Sequence, residues 1–134
     1  MPTERDATDE ETSPPGSHRG WLLFAYVAIL FVGSHIPHEK ASIPQMGVDK
    51  VIHLVAFAIL GWLACRWWFQ RGRAIGSAAV AGLFGAIMAY GFFDEVTQPP
   101  FRRTFDPFDL VADAIGAAFG IALFVGLRSR RRDP

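Results

Sequence analysis

The sequence predicts an all-α membrane protein, with four transmembrane helices in a compact bundle and both termini cytoplasmic. Three observations carry this. Hydrophobic residues make up 51% of the 134 positions, and charge is confined to the tails and three short breaks, leaving apolar runs at about 21–36, 51–69, 74–93 and 107–127. Each run approaches the ~20 residues that a helix rising ~1.5 Å per residue needs to cross about 30 Å of hydrocarbon, the first being at the short end. None alternates in polarity, which excludes the pattern of a transmembrane β-barrel.

The third observation is the placement of cations, which accumulate on the cytoplasmic side near helix ends. With both termini inside, the inner segments hold nine (Arg5, Arg19, Arg66, Arg71, Arg73, Arg128, Arg130, Arg131, Arg132), against four outside (Lys40, Lys50, Arg102, Arg103). Trp21, Trp67 and Trp68 then share the inner interface, where amphipathic indoles belong. The zero formal net charge cancels an acidic front tail against a basic back one and says nothing about partners.

Residues 1–20 are rich in Asp, Glu, Thr, Ser and Pro with almost nothing apolar, and read as a disordered acidic tail. The first run is not a cleavable signal peptide by its flanks: an acidic segment precedes it, and Gly33-Ser34-His35 is a poor cleavage site. The lone Cys65 has no internal disulfide partner and reads as a buried, inert thiol. The domain proper spans 21–127, followed by a basic cytoplasmic tail at 128–134. No Gly-rich phosphate loop or basic-aromatic pattern for nucleic acid is present.

The ionisable residues of the apolar region gather at helix ends that point outward. Helix 2 opens Asp49-Lys50-Val51-Ile52-His53. Asp49 is expected as the N-cap, its carboxylate accepting from open backbone amides, with His53 four residues on and one turn deeper on the same face. Helix 3 closes with Asp94-Glu95-Val96-Thr97-Gln98-Pro99-Pro100. Carboxylates oppose the dipole at a helix C-terminus and require cations or protons, for which Arg102 and Arg103 are the expected partners. Glu95 and Gln98 share a face, as do Asp94 and Gln98. Helix 4 opens with Asp106-Pro107, a cap followed by a first-turn proline. Asp106, Asp109 and Asp113 form one stripe that Gly116 and Gly120 continue, and small residues at this spacing let helices approach closely. The stripe is therefore expected to face the bundle, against a small ridge of Ala78, Gly82, Gly85 and Ala89 on helix 3. Asp113, two turns deep, must be paired, protonated or wet.

Taken in order, Asp49-Lys50-x-x-His53-x-x-x-Phe57, Asp94-Glu95-x-x-Gln98 and Arg103-Thr104-x-Asp106-x-x-Asp109-x-x-x-Asp113-x-x-Gly116, with Gly120 beyond, resemble the VanZ-like family of small bacterial membrane proteins. The resemblance runs from Asp49 to Gly120, with Asp113 standing where relatives usually carry Asn. It implies a multi-pass protein of the bacterial inner (cytoplasmic) membrane. The family's namesake is associated with low-level teicoplanin resistance, and no reaction comes with the resemblance.

Two main readings follow. In the first, the chain acts in the cell envelope, in a glycopeptide-resistance-like role or on a lipid-linked or anionic substrate. His53, Glu95 and Asp94 are then the candidate catalytic groups, and Asp49, Lys50, Gln98, Arg102, Arg103, Asp106, Asp109 and Asp113 the candidate binding groups. In the second, the protein is a non-enzymatic scaffold or partner-binding protein whose polar cluster is a structural knot. A metal site from His53 with Asp94 or Glu95, and His35 or His38 nearby, lacks a tight ligand motif, so no metal or cofactor is expected. A proton or ion pathway is disfavoured because the cluster lies at one side and helix 1 carries no matching charge.

Overall fold

The computed structural model describes residues 20–36, 47–98 and 106–130. Among them there are four α-helices and no strand: α1 (Trp21–Ser34), α2 (Val48–Gln70), α3 (Ser77–Thr97) and α4 (Pro107–Ser129). The acidic tail, His38, Arg102 and Arg103 lie outside the described residues. Three helices, α2, α3 and α4, are long and apolar enough to cross a membrane. With 14 residues, α1 rises only about 21 Å.

The helix ends differ from expectation in instructive ways. α2 begins at Val48, with Gly47 as N-cap, so Asp49 is a first-turn residue rather than the cap. Polar first-turn residues that find partners let a helix run on beyond its apolar stretch, and Asp49 still complements the dipole there. α3 begins at Ser77 because Gly76 is extended, and Ala74 stays outside the helix, its carbonyl accepting from Trp68 Nε1 at 3.0 Å. α4 starts as its sequence signals: Asp106 caps it, accepting from the Phe108 amide at 2.9 Å, with Pro107 at the first position. The short turn between α2 and α3 places Gly72 at φ 71°, the left-handed region that glycine tolerates.

α2 and α4 form the closest pair by far. At Gly116 a β-carbon would fall on the carbonyl of Leu54, and at Gly120 on that of Ala58, while one at Gly61 would lie 2.6 Å from the Ala117 carbonyl oxygen. The glycine stripe of α4 thus packs on α2. The expected partner ridge on α3 does not meet it: a β-carbon at Gly82 or Gly85 would meet nothing within 4 Å, and Ala78 and Ala89 are exposed. Adjacent buried acids turn the other side of α3 inward, and its small ridge outward with them. The apolar core joins Phe57, Leu60, Ala64 and Cys65 of α2 to Leu83 and Ile87 of α3 and Ala117, Ile121 and Phe124 of α4.

α1 is tied on by two tyrosines, Tyr26 donating to the Ala56 carbonyl at 2.9 Å and Tyr90 to the Val27 carbonyl at 3.3 Å. The outer faces stay apolar, exposing Val51, Val55, Ile59, Phe92, Val111, Ile115 and Phe119 among others. A water-exposed surface of that kind is unusual, whereas lipid tails cover it without cost. At one end of the bundle Arg71 stacks on Trp67, Arg73 on Trp68 and Arg128 on Phe69. These pairs join cationic and aromatic side chains as at a membrane boundary. All the buried acids lie at the other end.

Candidate functional site: a buried polar end of the bundle

Chain reversal between successive helices brings the C-termini of α1 and α3 to the same end as the N-termini of α2 and α4. Two polar groups form there. The first joins α2 to α4. Lys50 Nζ donates to Asp106 Oδ2 at 2.8 Å and to Asp109 Oδ1 at 3.2 Å. One turn deeper, His53 Nδ1 lies 2.9 Å from Asp113 Oδ1, and His53 Nε2 lies 3.9 Å from Asp109 Oδ2. The buried Asp113 is therefore paired, and its partner is the imidazole. At the mouth, the hydrogen bond from Lys50 holds the Asp106 carboxyl below the usual carboxylate range, helped by the Phe108 amide.

The second group joins α1 to α3. Ser34 Oγ donates to Asp94 Oδ1 at 2.8 Å, and Gln98 Nε2 donates to Asp94 Oδ2 at 3.2 Å. His35 is buried, with Nδ1 2.7 Å from the Phe31 carbonyl and Nε2 3.0 Å from Thr97 Oγ1. Glu95, 1% exposed, bridges the two groups: its Oε2 accepts from the Asp106 amide at 3.3 Å. The carboxylates at the α3 terminus thus find hydroxyl, amide and imidazole partners among the described residues; the expected pairing with Arg102 and Arg103 lies outside them.

Of the sequence-predicted residues, the structure joins Lys50, Asp106 and Asp109 directly, and His53 to Asp113. It sends Asp94 toward α1 with Gln98. The pairing of His53 with Asp94 or Glu95 as metal ligands is replaced by a different set, in which atoms of Asp49, His53 and Asp109 lie within 4.8 Å of one another. Ser34 and Thr97 were missed as participants, and His35, weighed only beside a metal site, instead bonds to the Phe31 carbonyl and Thr97. The signal was available, because Ser34-His35 ends an apolar run on the side where the other polar residues gather.

Between α1, α2 and α3 lies a cavity of about 290 Å³. Ser34, Asp49, His53 and Asp94 line one part of it, and Ile29, Leu30, Ile52, Ala56, Phe57 and Tyr90 the rest. It is near the lower size of small-molecule sites, and it is amphipathic.

The sequence that builds this bundle matches a known family. Residues 5–128 fit the family described as VanZ/LLP1. The chain belongs to the VanZ/LLP1 family. It is 35% identical over 94 residues to a Bacillus subtilis (strain 168) protein described as the uncharacterized membrane protein YwnJ, covering 70% of this chain and 61% of that one. The chain thus spans about three fifths of that relative. No solved structure shows a significant match. This VanZ/LLP1 chain is accordingly a membrane protein, and its apolar exterior is the surface that lipid covers.

Proposed function

We propose that this protein crosses the bacterial cytoplasmic membrane with four helices and both termini inside, and that its polar end takes a lipid-linked or otherwise amphiphilic envelope substrate from the outer leaflet. The observation that carries this reading is the cavity between α1, α2 and α3, where ionisable groups and an apolar wall share one space. A polar head group fits against Asp49, His53 and Asp94, and a hydrocarbon tail against Ile29, Ile52 and Phe57. The excess of Lys and Arg at the opposite end supports the orientation. α1 completes the span count by packing through Tyr26 and by exposing Trp21, Phe24, Ile29 and Val32 to lipid. His53 and Glu95 are the acid–base candidates, with Asp94 across the cavity, while Lys50, Gln98, Asp106, Asp109 and Asp113 hold or position them. Arg102 and Arg103 complete the binding set in this reading.

A deletion strain complemented with variants tests it, with teicoplanin susceptibility and envelope stress measured beside protein abundance. His53→Gln and Glu95→Gln keep shape while removing acid–base capacity, and Ala56→Phe fills the cavity from its apolar wall while Asp49, His53 and Asp94 stay in place. All three are expected to lose the phenotype at normal abundance. A second reading, that the cluster is a structural knot, is favoured by one observation: the His53–Asp113 pair sits directly above the glycine seam of α2 and α4. Parallel loss of abundance and phenotype in the His53 and Glu95 variants selects that reading instead.

A further inference from the structure

Among the described residues the polar end holds six carboxylates, Asp49, Asp94, Glu95, Asp106, Asp109 and Asp113, against a single lysine that two of them already engage. The geometry around His53 leaves room for a cation among them. Its Nδ1 faces the Asp113 carboxylate, an acceptor only, so the proton of the neutral ring resides on Nδ1 and the lone pair on Nε2. Nε2 stands 3.9 Å from Asp109 Oδ2, beyond hydrogen-bonding distance, while the other Asp109 oxygen is held by Lys50. Asp49, one turn before His53 on the same face of α2, brings the third oxygen into the same space.

A second observation is independent of that set. Glu95 Oε1 is fully buried and has no hydrogen-bond partner, although Oε2 has one. Glu95 sits beside the same cluster, its Oε2 on the amide of Asp106, whose carboxylate shares Lys50 with Asp109. A buried carboxylate oxygen left bare beside this cluster indicates a missing donor.

We propose that Asp49, His53 and Asp109 bind one divalent transition-metal cation, zinc or manganese, with Asp113 fixing the imidazole and Glu95 Oε1 accepting a hydrogen bond from a water on the cation. Imidazole with two carboxylates suits either ion. Metal–ligand bonds of about 2.0–2.2 Å place tetrahedral ligand atoms roughly 3.4 Å apart, so the 3.9 Å between His53 and Asp109 closes by about half an ångström, and atoms as far as 4.8 Å apart in the set of three close by up to about 1.4 Å. A carboxylate behind a ligating histidine is the usual orienting device. Three protein ligands leave a coordination position for water. Binding of the cation does not depend on the substrate reading above.

The full-length chain, purified in detergent and stripped with chelator, is titrated with Zn²⁺ and with Mn²⁺ by calorimetry. One cation per chain is expected. His53→Gln and Asp109→Asn should abolish binding, and Asp113→Asn should weaken it by about 10- to 100-fold. His35→Gln, the other buried histidine at this end, should leave affinity unchanged. If the His53 or Asp109 variant does not fold, the wild type decides: bound Mn²⁺ should show the electron-spin-echo coupling of one imidazole nitrogen. Absence of stoichiometric binding, undiminished binding in folded His53→Gln, or Mn²⁺ without a nitrogen coupling would each overturn the proposal. Full cation binding together with an unimpaired phenotype in Ala56→Phe would instead overturn the substrate reading and leave the metal site standing.

Discussion

Replacing either buried glycine of α4 by alanine should separate the two helices that carry the site. At Gly61 the added β-carbon would meet the Ala117 carbonyl oxygen at 2.6 Å, where ordinary contact begins near 3.4 Å. At Gly116 and Gly120 the approach to the Leu54 and Ala58 carbonyls is closer still. The obstructing atoms belong to a helix backbone, so no side chain can swing away, and α2 and α4 must part by an ångström or so. Overpacking of this kind costs ~1–3 kcal/mol. His53 and Asp113 lie one turn above Gly116 at 2.9 Å, and the same displacement would stretch that pair past hydrogen-bonding range, adding ~1–3 kcal/mol for the stranded buried groups. Gly116→Ala and Gly120→Ala are therefore each expected to lose about 2–6 kcal/mol. The double variant should lose less than the sum, because one separation relieves both clashes. Gly82→Ala and Gly85→Ala, with nothing within 4 Å, serve as controls; they should range from neutral to about 1 kcal/mol more stable, as alanine favours a helix over glycine. Unfolding in mixed micelles with rising SDS, followed by circular dichroism, measures all five variants, and Trp62, edge-on to Phe124 at 5.1 Å, reports on the same seam by fluorescence. If Gly116→Ala and Gly120→Ala unfold with the Gly82 and Gly85 controls, the packing argument is wrong.

Asp113→Asn should cost less than about 1 kcal/mol, since the amide oxygen still accepts from His53 Nδ1, whereas Asp113→Leu strands the imidazole and should cost ~1–3 kcal/mol in the same unfolding assay. Asp106 has a folded-state pKa below its unfolded value, so its contribution is present above the unfolded carboxylate range and disappears as pH falls through the lower folded value. Wild type should accordingly lose stability on acidification relative to Asp106→Asn, and parallel pH profiles of the two would contradict this. Cysteines introduced at Gln45 and Phe101 should label from outside intact cells with an impermeant maleimide, and one at Gly72 should not; the inverse pattern reverses the orientation and removes the outer-leaflet substrate with it.

By itself the sequence determined the class of the molecule, because bilayer thickness imposes a length that apolar runs must match and backbone hydrogen bonds that only helices satisfy there. It also determined which end is polar. Asp106-Pro107 marked the start of α4 through purely local capping chemistry, and the Asp109–Asp113–Gly116–Gly120 stripe announced an inward face through helical period alone. The partner of each inward group was another matter. Whether the glycines meet α2 or α3 depends on how three helices of similar outline pack, and the small ridge of α3 was compatible with the stripe. Adjacent residues Asp94 and Glu95 point about 100° apart, so the assignment of one to Ser34 and the other to the α4 amide required the positions of α1 and α4 together. Lys50 reaching Asp106 and Asp109, and His53 reaching Asp113, cross about sixty residues of chain. Spacing within one helix fixes a face, while the contact across two helices is set by their relative rotation and depth, which only the folded bundle specifies.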